Sequence, residues 1–130
     1  MELPTPSELA RAWWSAVDRA DFGSAIDLMA PGTVIDWPLS NERMADPGCW
    51  KHVNDHYPGR WRASIRSLVA EGDTVVTNTD LTDGSINVLA ISYFTVESGR
   101  ITNLVEYWPE TYAAPGWRAK WVTPIAVHDR

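Results

Sequence analysis

Residues 86–108, INVLAISYFTVESGRITNLVEYW, constrain the fold more than any other part of the chain. Two runs rich in β-branched and aromatic residues flank residues 97–100 (ESGR), a pattern that predicts a β-hairpin with a short glycine-containing turn. The first run, residues 86–96, is apolar on both alternating faces. We therefore expect its strand to lie inside a sheet that is covered on each face. The second run ends in Glu106, Tyr107 and Trp108, and the function depends on where that carboxylate points.

Composition narrows the class of protein. A chain of 130 residues with 45% hydrophobic residues fits one globular domain with a real core. Its net charge of −6 and the absence of a basic cluster exclude phosphate-driven binding, so we expect no nucleic acid partner. No apolar run approaches the ~20 residues needed to cross a bilayer, so we expect no membrane segment. The N-terminus shows no signal peptide and Cys49 is the single cysteine, which together indicate a cytoplasmic protein.

The order of predicted elements indicates an α+β fold of one domain, residues 1–130. Proline and capping residues start three helices, over residues 5–20, 21–30 and 46–57. A short strand is predicted at residues 33–37, between the second and third helices. Alternating apolar residues then predict strands at 61–69, 74–81, 86–96 and 101–108. We expect the three N-terminal helices to pack on one face of a strongly bent antiparallel sheet. Residues 109–130 form a C-terminal tail.

Two segments of the chain resemble the NTF2-like superfamily, which includes the SnoaL-like proteins and has an α+β cone fold. The first is VDRADFGSAIDLMAPGTVIDWP, where a Gly/Ala-Asp phrase leads into a T-V-x-D strand. The second is ISYFTVESGRITNLVEYW, which is similar to the last two strands of that superfamily. The resemblance covers most of the chain up to Trp108 and implies the cone fold. It does not fix the chemistry, because the scaffold hosts many functions.

A first comparison is with ketosteroid isomerases, which share this fold. Their general base is the Asp of T-V-x-D, which corresponds to Asp36 in Thr33-Val34-Ile35-Asp36. Their two oxyanion donors correspond to positions near Trp13 and Ser92. An indole and a serine hydroxyl do not match the strong donors that this chemistry requires, so a faithful isomerase is not expected.

A second comparison is with limonene-epoxide hydrolases. Asp80 and Glu106 match two of their acidic positions, whereas Asn78 replaces the orienting Arg and Val34 replaces a Tyr. The resemblance places Asp36, Asp80 and Glu106 in one cavity. We expect at least one of these carboxyls to be protonated at neutral pH, through like-charge repulsion and desolvation.

A third comparison is with SnoaL-type polyketide cyclases, which usually carry an Asp directly after the last-strand aromatic residues. Pro109 and Glu110 stand there in this chain, so it departs from the cyclase pattern.

Each candidate residue also has a structural interpretation. Asp36 could cap a turn or form a hydrogen bond with the backbone around Pro38. Asn78 and Asp80 could form the solvated face of an ordinary strand. Strand periodicity does not say whether Glu106 faces inward. The resemblance favours an inward Glu106, which places Ile101, Val105 and Tyr107 on the outer sheet face; such an apolar face needs cover and predicts a homodimer.

Two further residue pairs lie one helical turn apart. His52 and His56 lie one helical turn apart, but the sequence offers no third ligand, so no metal is predicted. Trp117 and Trp121 in the tail are expected to pack over the pocket mouth or on the dimer partner.

The leading hypothesis is an enzyme that uses acid/base chemistry without a cofactor on a small hydrophobic, oxygenated molecule. Isomerase, cyclase and epoxide-hydrolase chemistry all remain open. Asp36, Asp80 and Glu106 would be catalytic. The predicted substrate-binding residues are Trp13, Asn78, Tyr93, Trp108 and Val34. The alternative is a module of the same fold that binds a small ligand without turning it over.

Overall fold

The computed structural model describes residues 2–126 of the chain, so the last four residues of the predicted tail lie outside the described part. Its three α-helices all lie in the N-terminal half, as predicted: α1 (Pro6–Asp18), α2 (Phe22–Ile26) and α3 (Pro47–Asp55). Two short 3₁₀ helices cover Pro38–Ser40 and Gly116–Trp121. The strands are β1 (Met29–Trp37), β2 (Glu42–Met44), β3 (Arg62–Glu71), β4 (Thr74–Thr82), β5 (Asn87–Glu97) and β6 (Arg100–Tyr107).

The six strands form one sheet in the order β2-β1-β6-β5-β4-β3. β5 and β6, the predicted hairpin, lie at its centre. The β1–β6 pair is parallel and every other pair is antiparallel, so the sheet is mixed rather than purely antiparallel. The reason is that the chain leaves β1, passes through β2, α3 and three more strands, and returns beside β1 in the same direction. The α+β class is confirmed.

The helix starts follow the predicted capping chemistry. Thr5 and Glu8 form a capping box, in which the Glu8 amide donates to Thr5 Oγ1 at 3.1 Å and the Thr5 amide donates to Glu8 Oε1 at 2.9 Å. Asp21 and Asp46 cap α2 and α3 through the amides three residues further on. Residues 31–32 do not end a helix, because α2 stops at Ile26 and β1 already begins at Met29.

The core lies between α1 and one face of the sheet, which we call the inner face. Four aromatic side chains meet there: Trp13 lies 4.8 Å from Trp14, 5.1 Å from Trp50 and 5.3 Å from Phe94, measured between ring centroids. All four are buried. We call the opposite side of the sheet the outer face.

Two β-bulges shift the predicted alternation. In β3, Ile65 pairs with Thr79 and Ser67 with Asn78, so an extra residue turns Val69 outward and leaves it 67% exposed. In β6, a similar shift opposite Thr95 turns Ile101 into the core. The expectation that Ile101 lies on the outer face is therefore wrong, because a bulge reverses every later position of a strand.

No helix in residues 2–126 is long and apolar enough to span a membrane.

Candidate functional site

Glu106 lies on the inner face of the sheet and is only 1% exposed. Its position follows from strand register: Glu106 pairs with Ser92 on β5, and Ser92 pairs with Thr77 on β4. Paired residues point to the same side of a sheet, so these three polar side chains form a row across three strands. The inward orientation that the resemblance favoured is the one the structure has.

Two neutral donors hold the Glu106 carboxyl. Ser92 Oγ donates to Oε2 at 2.7 Å, and Trp37 Nε1 donates to Oε1 at 3.1 Å. Burial raises the pKa of Glu106 from its ordinary value of 4.5 to about 7, and the bonds from Ser92 and Trp37 oppose that rise. The carboxyl therefore has both protonation states available near neutral pH.

The polar row is tied to α1 at its other end. Trp14 Nε1 donates to Thr77 Oγ1 at 2.9 Å, and both side chains are buried. Because a buried hydroxyl without a partner is costly, this bond fixes the helix over the middle of the sheet. The helix that carries Trp13 is thereby held at a set position above the row.

Trp37, the indole that donates to Glu106, packs against Trp108. Their rings meet edge to face with centroids 6.0 Å apart, and both side chains are half-buried. On the inner side of the sheet three buried groups, Trp13 Nε1, Trp108 Nε1 and Thr79 Oγ1, have no hydrogen-bond partner among the described residues. Buried polar groups in native proteins are normally paired, so these three are candidates to contact a bound molecule.

Asp36 does not join this site. Its register partner is Val105, which places Asp36 on the face opposite to Glu106. There it forms a bidentate ion pair with Arg43, with oxygen–nitrogen distances of 2.7 and 2.9 Å. The Arg43 guanidinium lowers the pKa of Asp36. A carboxylate held by a guanidinium on the outer face is poorly suited to act as the predicted general base.

Asp80 is also on the outer face. It pairs with Leu89 in register and with Arg66 through two hydrogen bonds of 2.9 and 3.1 Å. The prediction that Asp36, Asp80 and Glu106 share one cavity is therefore wrong. The physical reason is strand parity: in β4 the inner positions are 75, 77, 79 and 81, so the even-numbered Asp80 points away.

Three predicted substrate-binding residues share that outer face. Asn78 and Tyr93 occupy register positions next to inward-facing Thr77 and Ser92, and Val34 lies beside inward-facing Ile35. Of the predicted substrate-binding residues, only Trp13 and Trp108 lie on the side of Glu106. Of the predicted site residues, one acid, Glu106, and two aromatic residues, Trp13 and Trp108, therefore remain on the inner side of the sheet.

Sequence reasoning missed Trp37, Trp14 and Thr77, and considered Ser92 only as a weak match to an isomerase donor. A signal for two of them was present. Ser92 and Thr77 are polar residues at inner positions of their strands, where apolar residues are the rule. Such residues predict a buried hydrogen-bonded row once the register with Glu106 is known.

Other features of the surface do not extend this site. Two open clefts of about 450 and 390 Å³ are lined by charged residues, among them Asp46 and Arg100 in the first and Asp18 and Arg62 in the second, and neither is lined by Glu106. The rings of His52 and His56 lie 4.5 Å apart, but no group of three metal-ligating side chains occurs in residues 2–126.

The sequence matches a known protein family. A family model described as a SnoaL-like domain matches residues 10–104. None of the curated proteins matches the chain.

Solved structures share the fold. A candidate ketosteroid isomerase from Kribbella flavida is 25% identical, with 94% of this chain and 91% of that chain covered and a TM-score of 0.86. An LEH-like epoxide hydrolase of M. tuberculosis is 21% identical, with 78% and 80% covered and a TM-score of 0.64. A candidate SnoaL-like polyketide cyclase from Shewanella putrefaciens is 14% identical, with 82% and 91% covered and a TM-score of 0.69. The NTF2-like cone fold is thus confirmed.

Proposed function

The chain belongs to the SnoaL-like domain family, and we propose that it is a cofactor-independent acid/base enzyme with Glu106 as its proton-transferring group. The observation that supports this most is the Glu106 carboxyl itself. It is fully buried, faces no cation in the described residues, and has a pKa of about 7. A general acid or base works best when its pKa lies near the working pH.

The proposed substrate is a small hydrophobic molecule that carries oxygen. The indoles of Trp13 and Trp108 supply apolar surface, and their unpaired N–H groups can each donate to an acceptor oxygen. Thr79 Oγ1 adds a third such group. A carbonyl compound would satisfy these donors while its apolar body stays among the aromatic rings.

One interior carboxyl favours some reactions over others. Opening an epoxide with water needs one group to protonate the oxygen and another to activate water. Moving a proton from carbon to carbon next to a carbonyl needs only one group, which takes the proton and returns it elsewhere. Since Asp36 and Asp80 lie outside, isomerase or cyclase chemistry fits this site better than epoxide hydrolysis.

Access to Glu106 passes through the two half-buried indoles. Trp37 Nε1 occupies Glu106 Oε1, so an incoming substrate has to displace that bond before a proton can move. We propose that the Trp37 ring turns aside and that Trp108, its edge-to-face neighbour, then contacts the substrate.

The rival function is a binding module of the same fold without turnover. The observation that favours it is the single interior acid, which leaves no second titrating group to relay a proton. In that case Glu106 would only hydrogen-bond the ligand.

A deuterium-exchange experiment separates the two functions. A thermal-shift screen of enones, epoxides and polyketide fragments first finds a ligand, since binding to the folded state raises the melting temperature. The bound ligand is then followed by NMR in D₂O with the wild type and with Glu106→Gln. Exchange or turnover by the wild type alone, with binding retained in Glu106→Gln, supports the enzyme. Binding to the wild type without exchange of any ligand proton supports the module.

We further propose that two copies pair through the outer sheet face. Val105, Tyr107 and Ile91 are half-buried there, Tyr93 is exposed, and Asn78 Oδ1 is buried without a partner in the described residues. Light scattering at micromolar concentration should give twice the chain mass, and Tyr93→Asp should lower the measured mass to that of one chain.

We also propose that the protein is cytoplasmic, because the exposed free thiol of Cys49 fits a reducing compartment.

A further inference from the structure

The C-terminal segment from Pro109 to Ala126, which we call the tail, presents large apolar side chains to solvent. Trp117 is 74% exposed and Trp121 is 75% exposed, and Tyr112, Val122 and Ile125 are exposed as well. The 3₁₀ helix that carries both tryptophans makes no more than slight contact with any described helix or strand. So many large exposed apolar side chains in one short segment are typical of an interaction site.

The tail has a defined local structure. Residues 116–121 form the 3₁₀ helix, and the Arg118 guanidinium lies 5.7 Å from the centroid of the Trp117 ring, within the range of a cation–π contact. The alignment with the Kribbella flavida structure covers 94% of this chain, whereas residues 109–130 make up about 17% of it, so most of the tail has a counterpart there. A retained, structured segment that does not pack on its own chain needs another surface.

A surface of matching chemistry exists beside Glu106. Trp37 bonds Glu106 and contacts Trp108, Glu42 is paired with Trp37 in the sheet, and Leu39 lies in the 3₁₀ helix that follows Trp37; we call these four residues the rim. Leu39 is 63% exposed, and Glu42 is the register partner of Trp37, so its carboxylate stands on the same side of the sheet. The rim therefore offers two indole rings, an exposed leucine and one negative charge.

Charge complementarity points to this chain as the partner. The tail carries Arg118 and Lys120 against Glu110, whereas the whole chain has a net charge of −6. A weakly basic tail with two tryptophan anchors thus matches an acidic, aromatic rim. Tryptophan and arginine are the residue types that most often dominate binding energy at interfaces.

We propose that the tail of one copy docks on the rim of a second copy, with Trp117 and Trp121 covering Trp37 and Trp108, the two half-buried indoles beside Glu106. The partner's tail would then complete the cover over the two half-buried indoles. This inference rests on the proposed pairing of two copies and not on the proposed chemistry of Glu106.

Disulfide trapping between two different variants tests the docking. In a Cys49→Ser background, one preparation carries Val122→Cys in the tail and the other carries Ser40→Cys next to Leu39. Both substitutions leave the tryptophans and the rim in place. After mixing and mild oxidation, we expect a covalent heterodimer by intact mass. The matched control is Leu3→Cys, which is similarly exposed but lies beside the turn at Gly99, at the end of β6 opposite to Trp108, and which should not link to Val122→Cys.

A second measurement keeps the test independent of disulfide geometry. Trp117→Ser combined with Trp121→Ser should weaken the dimer at least about tenfold by concentration-dependent light scattering, with the circular dichroism of the fold unchanged. A wild-type dimer that is unaffected by this double substitution and gives no selective cross-link would overturn the docking but leave the pairing intact. A monomeric wild type would overturn both. Monomeric protein whose tryptophans are needed for binding to anionic phospholipid vesicles would also overturn it.

Discussion

Ser92 Oγ donates a 2.7 Å hydrogen bond to Glu106 Oε2 across the β5–β6 pair. This bond and the one from Trp37 are both made by neutral groups, so nothing in the described surroundings compensates the charge of the carboxylate with a full positive charge. Asp18, Asp36 and Asp80 each have a guanidinium partner at the surface. Burial without a cationic partner therefore raises the pKa of Glu106, whereas the guanidinium groups beside Asp18 and Asp36 lower the pKa of those carboxyls.

The first prediction concerns stability against pH. The pKa of Glu106 is about 7 in the folded state and near 4.5 when the chain unfolds. Below pH 4.5 both states hold the proton, so burial of the group costs little. Between pH 4.5 and 7 only the folded state keeps it, so the free energy of unfolding falls as pH rises. The fall amounts to about 3 kcal/mol, at about 1.4 kcal/mol for each pKa unit.

Comparison with Glu106→Gln isolates this effect. Urea unfolding of both proteins from pH 4 to 8 should show the wild type losing stability relative to the variant over that window, because other groups titrate equally in both. Parallel curves over the whole range would mean that Glu106 titrates normally.

The second prediction compares how strongly Ser92 and Trp37 lower the pKa of Glu106. Both bonds favour the ionised carboxyl, and Ser92 has the larger effect. Ser92→Ala should therefore raise the pKa of Glu106 more than Trp37→Phe does, and both should raise it above the wild-type value. Carbon-13 NMR of the labelled carboxyl measures each titration. Trp108→Phe is the control, because Trp108 touches Trp37 but does not bond Glu106; a rise of equal size in that variant would contradict the ranking.

Much of the fold could be predicted from sequence because its signals are local. The Thr5–Glu8 capping box, the Asp46 cap and the glycine turn after Glu97 each depend on residues a few positions apart. The hairpin likewise carries its own turn, and its first strand carries its own alternation. These elements needed no knowledge of distant partners, and the structure has them where the pattern placed them.

The site could not be predicted in the same way, because it depends on register between distant strands. A single extra residue in β6 turned Ile101 inward, and strand parity put Asp80 outside. The guanidinium partner of Asp36 comes from β2, a strand of three residues that no sequence pattern indicated. Resemblance to other families predicted Glu106 correctly as an inward residue, but it could not say that Asp36 would be neutralised by Arg43.

The third prediction concerns the bond that ties α1 to the sheet. Trp14→Phe removes the donor to Thr77 Oγ1 and leaves a buried hydroxyl unpaired, so it should cost about 1–3 kcal/mol of unfolding free energy. Adding Thr77→Val removes the orphaned hydroxyl as well, so the double variant should lose less than the sum of the two single ones. Chemical denaturation of all four proteins gives the coupling energy. Additive losses would show that the bond does not connect helix and sheet energetically.

The last prediction separates the interior acid from the surface acids. Asp80→Asn breaks an ion pair whose two side chains are about half exposed, so it should change stability by less than about 1 kcal/mol. Because Asp80 and Asp36 face away from Glu106, Asp80→Asn and Asp36→Asn should each keep proton exchange on a bound ligand within about twofold of the wild type, whereas Glu106→Gln should abolish it. NMR exchange rates at pH 7, with far-ultraviolet circular dichroism as the check on folding, measure all three variants side by side. A loss of exchange in Asp36→Asn with the fold intact would contradict this prediction, because it would mean that Asp36 and the outer face take part in the chemistry.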